Sequence, residues 1–292
     1  MVSFERICLG FIKIIRENDM KIGIIGNGFV GKATYQLKCP DIEVVAYDIQ
    51  PHLCEPIGLT IKDIMTCDVI FISVPTPMYT DGSCYTGIIE RVLRDLEDYN
   101  GFIVLRSTVP VGTSDRLNCY FMPEFLTERN YIQDFIHNKD WIFGGQDEEF
   151  KHTMTTLFQL AKKNGCIEHD TIHFVTNKEA EMVKIFRNCF LATKVSFCNE
   201  IYEFCQKMNI NYSNVVNLAA KDDRITMSHT MVPGHDGKRG FGGTCFPKDM
   251  SSLHYEMGRV MNSHIISSAI ERNNTVDRIE QDWLLDKGRA SV

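Results

Sequence analysis

The sequence predicts an α/β protein: a doubly wound parallel sheet in the N-terminal part, followed by an all-helical central domain with one long helix. Three observations carry that expectation. Short, continuous apolar runs alternate with helix-compatible stretches from residue 21 to about residue 175, as strands buried on both faces of a parallel sheet do. A segment from residue 178 to about residue 208 then contains neither Gly nor Pro. Roughly thirty residues is long for one globular helix, so this element spans domains or forms a dimer core. Finally, a chain of 292 residues that is 44% hydrophobic can bury a sizeable core, and its length suggests about two domains. The expected division is an N-terminal extension over 1–19, a sheet domain over 20–177 and a helical domain over 178–292.

In the extension, Phe4, Ile7, Cys8, Phe11, Ile12 and Ile15 recur at helical spacing, while Glu5, Arg6, Lys13, Arg16 and Glu17 interrupt any signal-peptide core. It reads either as an amphipathic helix packed on the body or on a partner, or as a dispensable leader with Met20 as the natural start. The first strand covers residues 21–25. Gly26-Asn27-Gly28-Phe29-Val30-Gly31 follows at once and opens a helix-compatible stretch to about Lys38. A second run over 42–47 ends in Asp48. A glycine string of this spacing between a strand and a helix, with an acid about 20 residues on, is the context of a dinucleotide fingerprint. There the glycines permit a tight turn and close approach of a pyrophosphate to the helix N-terminus, while Asp48 accepts hydrogen bonds from ribose hydroxyls. A carboxylate repels a 2′-phosphate, so NAD is favoured over NADP and the sheet domain reads as Rossmann-like.

Further strands are expected over 68–74, closed by Pro75-Thr76-Pro77, and over 102–105, with weaker runs near 119–122, 141–144 and 171–175; helices are expected over 87–99 and 147–163. Ligands of such sheets bind beyond the carboxyl ends of the strands, which puts residues 73–77 and 106–113 at a site. On the long helix Lys184 and Asn188 stand four apart, so a cation and an amide could address one oxygen atom, or simply form a solvated face.

The segment Gly240 to Asp249, GFGGTCFPKD, sets Cys245 between a glycine-rich approach and the pair Lys248 and Asp249. Glycines let a backbone approach a ligand, a nearby cation favours the thiolate and a carboxylate moves protons. A cysteine after a Gly-Gly turn is also commonly a small buried residue.

Composition narrows the classes. A net charge of -7 argues against a nucleic-acid or anionic-membrane surface as the main partner. No run of about 18 apolar residues is present, so no membrane-spanning helix is expected. Eleven cysteines without CxxC or Cys/His clusters fit reduced thiols in a cytoplasmic compartment, with no metal site expected.

Seven strings in order resemble the UDP-glucose 6-dehydrogenase family of nucleotide-sugar dehydrogenases: KIGIIGNGFVG from Lys21, FISVPTP from Phe71, STVPVGT from Ser107, PEFL from Pro123, AEMVKIFRNCFLATKVSFCNE from Ala180, DRI from Asp223, and GFGGTCFPKD. The resemblance implies oxidation of the sugar C6 hydroxymethyl to a carboxylate in two NAD-dependent hydride transfers, through a cysteine thiohemiacetal and a thioester. It makes Cys245 the nucleophile, Lys184 and Asn188 the oxyanion stabilisers, Asp249 an acid-base group, and Thr108 and Glu124 the pair for proton transfer and water positioning. Cofactor positions by the same likeness are Gly26, Gly28, Phe29, Val30, Gly31, Asp48, Thr76, Thr108, Glu128 and Lys248. Substrate positions are Glu124, Phe125, Leu126, Lys184, Asn188, Gly242 and Arg224, the last reaching the site of a neighbouring subunit, which implies a homodimer on the long helix.

The chain also departs from the family pattern. Family members usually continue into a third domain that closes over the nucleotide, whereas this chain stops at Val292, so those contacts are expected to be absent, replaced or supplied by a separate polypeptide. The stretch between Arg224 and Gly240 is longer than the common loop and carries His235, Lys238 and Arg239, which could replace lost phosphate contacts or form a solvated loop. UDP-glucose is the expected substrate. UDP-N-acetylmannosamine or GDP-mannose, or a truncated NAD-binding homologue without turnover, are the alternatives.

Overall fold

The structure is a computed structural model, and it describes residues 20–292; the expectations for 1–19 lie outside the described residues. Strand and helix alternate as β1 (Met20–Ile25), α1 (Phe29–Thr34), β2 (Ile42–Tyr47), α2 (Ile61–Ile64), β3 (Val69–Ile72), α3 (Gly87–Asp95), β4 (Phe102–Leu105), α4 (Thr113–Arg116), β5 (Tyr120–Phe121), α5 (Tyr131–Ile136), β6 (Asp140–Gly144), α6 (Glu148–Lys163) and β7 (Thr171–Val175). Four α-helices follow, α7 (Asn177–Lys207), α8 (Tyr212–Ala219), α9 (Phe246–Gly258) and α10 (His264–Arg272), and two short helical turns, Asn273–Asp277 and Asp282–Leu285, come after them.

The strands form one sheet in the order β2-β1-β3-β4-β5-β6-β7. Successive residues point to opposite faces, so each apolar run feeds two cores. Ile22, Ile24, Val69, Phe71 and Val104 face Phe143, Phe150 and Phe158 on one side. Ile25, Ile70, Ile72 and Leu105 face Ile89 and Leu96 on the other. The sheet is parallel except where β5 meets β6, a departure from the fully parallel expectation. An antiparallel return does not cross the sheet, so residues 122–139 stay at the carboxyl edge. Glu124 and Glu128 lie in this stretch.

The long helix begins as the sequence implies, one residue earlier than expected. Thr176 caps it, accepting from the Glu179 N–H while the Glu179 carboxylate accepts from the Thr176 N–H. Buried Glu181 then accepts from the backbone N–H groups of Gly112 (2.5 Å) and Ser114 (2.7 Å), tying the first turns of α7 to the loop after β4. Ile185, Cys189 and Ala192 of α7 pack with Phe241, Met250 of α9 and Ala269 of α10 in a third core. Past α10 the chain returns to the sheet: the Met78 N–H donates to the Ala290 carbonyl and the Val292 N–H to the Met78 carbonyl. Met78, Trp283 and Ala290 bury one another at this junction.

Candidate active site

The glycine-rich turn shows why each glycine is there. Gly26 has φ +91°, and a Cβ on it would stand 2.7 Å from the Ser73 carbonyl oxygen. A Cβ on Gly31 would stand 2.1 Å from the Gly26 oxygen, so a side chain there would drive α1 off the turn. Gly28, the N-cap of α1, has open space where its Cβ would be, which leaves the helix start accessible to a ligand. Asp48 ends β2 with its carboxylate accepting from the Asn27 N–H (2.8 Å) and the Gln50 N–H (2.9 Å). Thr76 and Thr108, beyond β3 and β4, meet where the Thr76 hydroxyl donates to the Thr108 carbonyl at 2.7 Å.

The cysteine loop is held by an amide that no motif signals. The Asn273 side chain accepts from the Phe241 N–H (2.7 Å) and donates to the Phe241 carbonyl (3.0 Å). Gly240, at φ +70°, must lack a side chain because a Cβ would stand 2.3 Å from Asn273 Oδ1. Gly242 packs under the Arg278 guanidinium in the same way. This clamp delivers Cys245 to the N-cap of α9.

Behind the cysteine, two helix residues meet two carboxylates. Lys184 Nζ lies 2.6 Å from Glu124 Oε1 and 2.7 Å from the Glu124 carbonyl oxygen. Asn188 Nδ2 donates to Asp249 Oδ2 at 2.6 Å, and Lys248 Nζ donates to Asp249 Oδ1 at 2.7 Å. Lys184 and Asn188 are 3% and 9% exposed, so they are not a solvated helix face. Glu124 Oε2 accepts from the Leu126 N–H, and Phe125 stacks under Arg187 with the guanidinium 3.7 Å from the ring centroid.

Burial pushes the Cys245 thiol above its ordinary pKa. The Lys184 ammonium is the main opposing influence, followed after the acids Asp249 and Glu124 by Lys248. Burial pulls the Lys248 pKa down, but the Asp249 carboxylate beside it outweighs this and holds it above the ordinary lysine value. The arrangement can therefore hold a thiolate and a developing oxyanion close to fixed cations.

One cavity of about 760 Å³ joins these pieces. Gly26, Gly28, Phe29, Val30, Asp48, Thr76 and Thr108 line one part of it, and Glu124, Glu128, Cys245 and Lys248 another. Lys184, Asn188 and Asp249 stand behind the Cys245 wall through the hydrogen bonds above. Open space at Gly28 and a carboxylate at the end of β2 fit a dinucleotide such as NAD. Arg224 is not brought to this cavity: its guanidinium pairs with Asp222 on the surface. Lys238 and Arg239 are committed to acids rather than open for phosphate. Lys238 pairs with Asp282 (2.7 Å) and Glu280 (3.2 Å), and Arg239 with Asp277 (2.6 Å). Arg289 lines the cavity and pairs with Glu128 at 2.9 Å, which the sequence did not signal because the two stand 161 residues apart.

Comparison with known proteins bears on the family and the fold. Residues 57–162 match the NAD-binding domain of the UDP-glucose/GDP-mannose dehydrogenase family, and residues 178–275 match its central domain. The UDP-glucose 6-dehydrogenase YwqF of Bacillus subtilis is 30% identical across 92% of this chain and 68% of its own length. The UDP-glucose 6-dehydrogenase of Campylobacter jejuni is 29% identical across 92% of this chain and 75% of its own length. Among solved structures, a UDP-glucose dehydrogenase from Pyrobaculum islandicum superposes with a TM-score of 0.74 at 24% identity, covering 88% of this chain and 68% of that one. A UDP-D-ManNAc dehydrogenase from Pyrococcus horikoshii superposes with 0.72 at 20% identity, covering 87% and 68%; both likenesses speak to the fold. With both family domains matched in order and a 30% identical relative covered over two thirds of its length, the chain belongs to the UDP-glucose/GDP-mannose dehydrogenase family and is an NAD-dependent oxidoreductase.

Proposed function

We propose that this chain oxidises the C6 hydroxymethyl of UDP-glucose to a carboxylate, giving UDP-glucuronate and two NADH per sugar. The reading rests on one observation above others: Cys245 lines the dinucleotide cavity and lies in the field of a buried Lys184. Residues 20–177 serve the cofactor and residues 178–292 carry the nucleophile. NAD, which Gly26, Gly28, Phe29, Val30 and Asp48 would hold, would supply the hydride acceptor for each oxidation. After the first, the Cys245 thiolate adds to the aldehyde carbon, and the resulting alkoxide takes a proton to become a thiohemiacetal. Loss of the hydroxyl proton to Asp249 together with the second hydride leaves a thioester. Water adds to its carbonyl, the C–S bond breaks and the thiolate is restored. Lys184 and Asn188 stabilise the oxyanion at each stage, Asp249 exchanges protons, and Thr108 with Glu124 orients the water. Covalent capture keeps a reactive aldehyde from escaping.

The active form in this reading is a homodimer. Phe186, Phe190, Phe197 and Phe204 of α7 are each more than half exposed and recur every four or seven residues, so they form one stripe suited to a second copy. Arg224 would reach the partner's substrate site from that interface. No described helix is long and apolar enough to cross a membrane. No disulfide joins the described cysteines to one another, as suits action in the cytoplasm.

The test supplies NAD with UDP-glucose, UDP-galactose, UDP-N-acetylglucosamine, UDP-N-acetylmannosamine or GDP-mannose and counts NADH per sugar. Two NADH with UDP-glucose supports the proposal. Two with another sugar transfers it to that substrate. No NADH with any sugar, despite NAD binding, sinks the enzymatic reading and favours a partner polypeptide or a role without turnover.

A further inference from the structure

Arg106 is the bulkiest fully buried side chain among the described residues, and it stands just past the carboxyl end of β4. Its Nη1 donates to the Thr34 hydroxyl of α1 at 2.7 Å, and its guanidinium lies 5.5 Å from the Phe135 ring centroid. The buried Nε has no hydrogen-bond partner in the protein. A buried guanidinium is costly unless an anion compensates it. Burial pulls its pKa down to about 10, and Glu124 is the acid that offsets this.

Arg106 and Glu124 share two walls. Both line the dinucleotide cavity, and both line a second cavity of about 20 Å³, with Asp134 and Asn138. That is room for one bridging water. Glu124 is thus one carboxylate among three cations: Lys184 in direct contact, Arg106 behind, and Arg187, which also feels its charge. Lys184 alone would already neutralise Glu124. Arg106 adds a further cation acting on Glu124, outside the group of Lys184, Lys248, Glu124 and Asp249 that acts on Cys245.

We infer that Arg106 is a positioning residue that fixes Glu124 against Lys184 and thereby sets the field at Cys245. This rests on the roles given above to Glu124, Lys184 and Cys245.

The test compares the parent with Arg106→Met, which keeps bulk without charge, and Arg106→Lys, which keeps charge. One arm reads kcat, KM and NAD affinity on whichever nucleotide sugar the parent oxidises. The other needs no substrate: iodoacetamide modification of Cys245 is followed against pH by peptide mass spectrometry. The charged groups facing that thiol are Lys184 of α7, Glu124 of the loop after β5, and Lys248 and Asp249 of α9. The expected result is a loss in kcat of about tenfold or more for Arg106→Met, KM and NAD affinity within about threefold, and Cys245 modification displaced to higher pH. Arg106→Lys should recover most of both. Should Arg106→Met fail to fold, Thr34→Val, which removes the Nη1 acceptor together with the hydroxyl's own bond to the Val30 carbonyl, is expected to move kcat and the modification profile in the same direction by less. Unchanged kcat and modification profile overturn the inference, as does parallel loss of kcat, NAD affinity and melting temperature without rescue by lysine. A parent that oxidises no sugar defeats the functional proposal while the modification arm still decides the role of Arg106.

Discussion

Lys184 and Glu124 form an ion pair at 2.6 Å with side chains only 4% and 6% exposed. Lys184 also donates to the Glu124 backbone carbonyl, so the contact fixes both the charge and the path of the PEFL segment. The long helix and the carboxyl edge of the sheet are therefore joined at the point where the proposed chemistry occurs.

Removing one partner of such a pair leaves an uncompensated buried charge, which costs about 3–5 kcal/mol. Lys184→Met is accordingly expected to lower both stability and kcat, whereas Glu124→Gln keeps an oxygen acceptor for the lysine and should destabilise less. Urea denaturation beside steady-state rates checks this. Equal loss of stability in the two variants would show that the amide does not replace the carboxylate as Lys184's acceptor.

The Cys245 thiol is raised by burial and opposed chiefly by Lys184. A raised thiol means the thiolate fraction grows as pH rises, so modification of Cys245 should accelerate from neutral to alkaline pH. Lys184→Met should push that rise to still higher pH. Cys245→Ala should end acid formation while NAD affinity stays within about twofold, because the cofactor cavity is built mainly by the sheet. If that variant makes sugar acid at the parental rate, the nucleophile is another group.

Asp48 holds two backbone N–H groups and stands at the cavity rim. Asp48→Ser shortens the acceptor and removes the charge, so NAD affinity should fall by about tenfold, near 1.4 kcal/mol, while the preference over NADP shrinks. Fluorescence titration with both cofactors measures the ratio. An unaltered ratio would remove Asp48 from the specificity argument.

The stripe on α7 makes a separate claim about assembly. Phe190 and Phe197 are 60% and 64% exposed. The double substitution Phe190→Asp, Phe197→Asp adds two charges to the stripe, and if it is a dimer interface sedimentation should shift from dimer to monomer with the fold retained. A parent that sediments as a monomer would contradict the homodimer proposal directly.

Much of the sheet was readable because buried parallel strands are continuous apolar runs, and β2 and β4 begin and end where those runs do. The reversal at β6 was not, since an apolar run has no direction. The glycine turn and Cys245 were legible because backbone approach restricts the residue type. Lys238 and Arg239 read either as phosphate ligands or as part of a solvated loop because their acids, Asp282 and Asp277, lie 44 and 38 residues away and only the return of the chain after α10 brings them close. Arg289 escaped for the same reason, and Arg106, though it fell in the segment expected beyond the strand ends, gave no sign of its role: an isolated arginine carries no local pattern, and its meaning comes from long-range burial.

Asn273 is the case in which such a long-range contact should be most visible in function. It meets both the donor and the acceptor of Phe241, is completely buried, and fills the space a Gly240 side chain would need. Asn273→Ala deletes both hydrogen bonds and leaves a buried N–H and C=O unpaired, a loss of about 2–4 kcal/mol for two groups. The loop it releases leads four residues on to Cys245. The expected outcome is therefore a lower melting temperature together with a fall in kcat larger than the change in NAD affinity, because the clamp acts on the cysteine and not on the glycine turn. Asn273→Asp keeps the acceptor to the Phe241 N–H but loses the donor, and should fall between parent and alanine in both measurements. An alanine variant that loses stability but keeps the parental kcat at a temperature where it is folded would show that the clamp supports the fold without positioning the nucleophile.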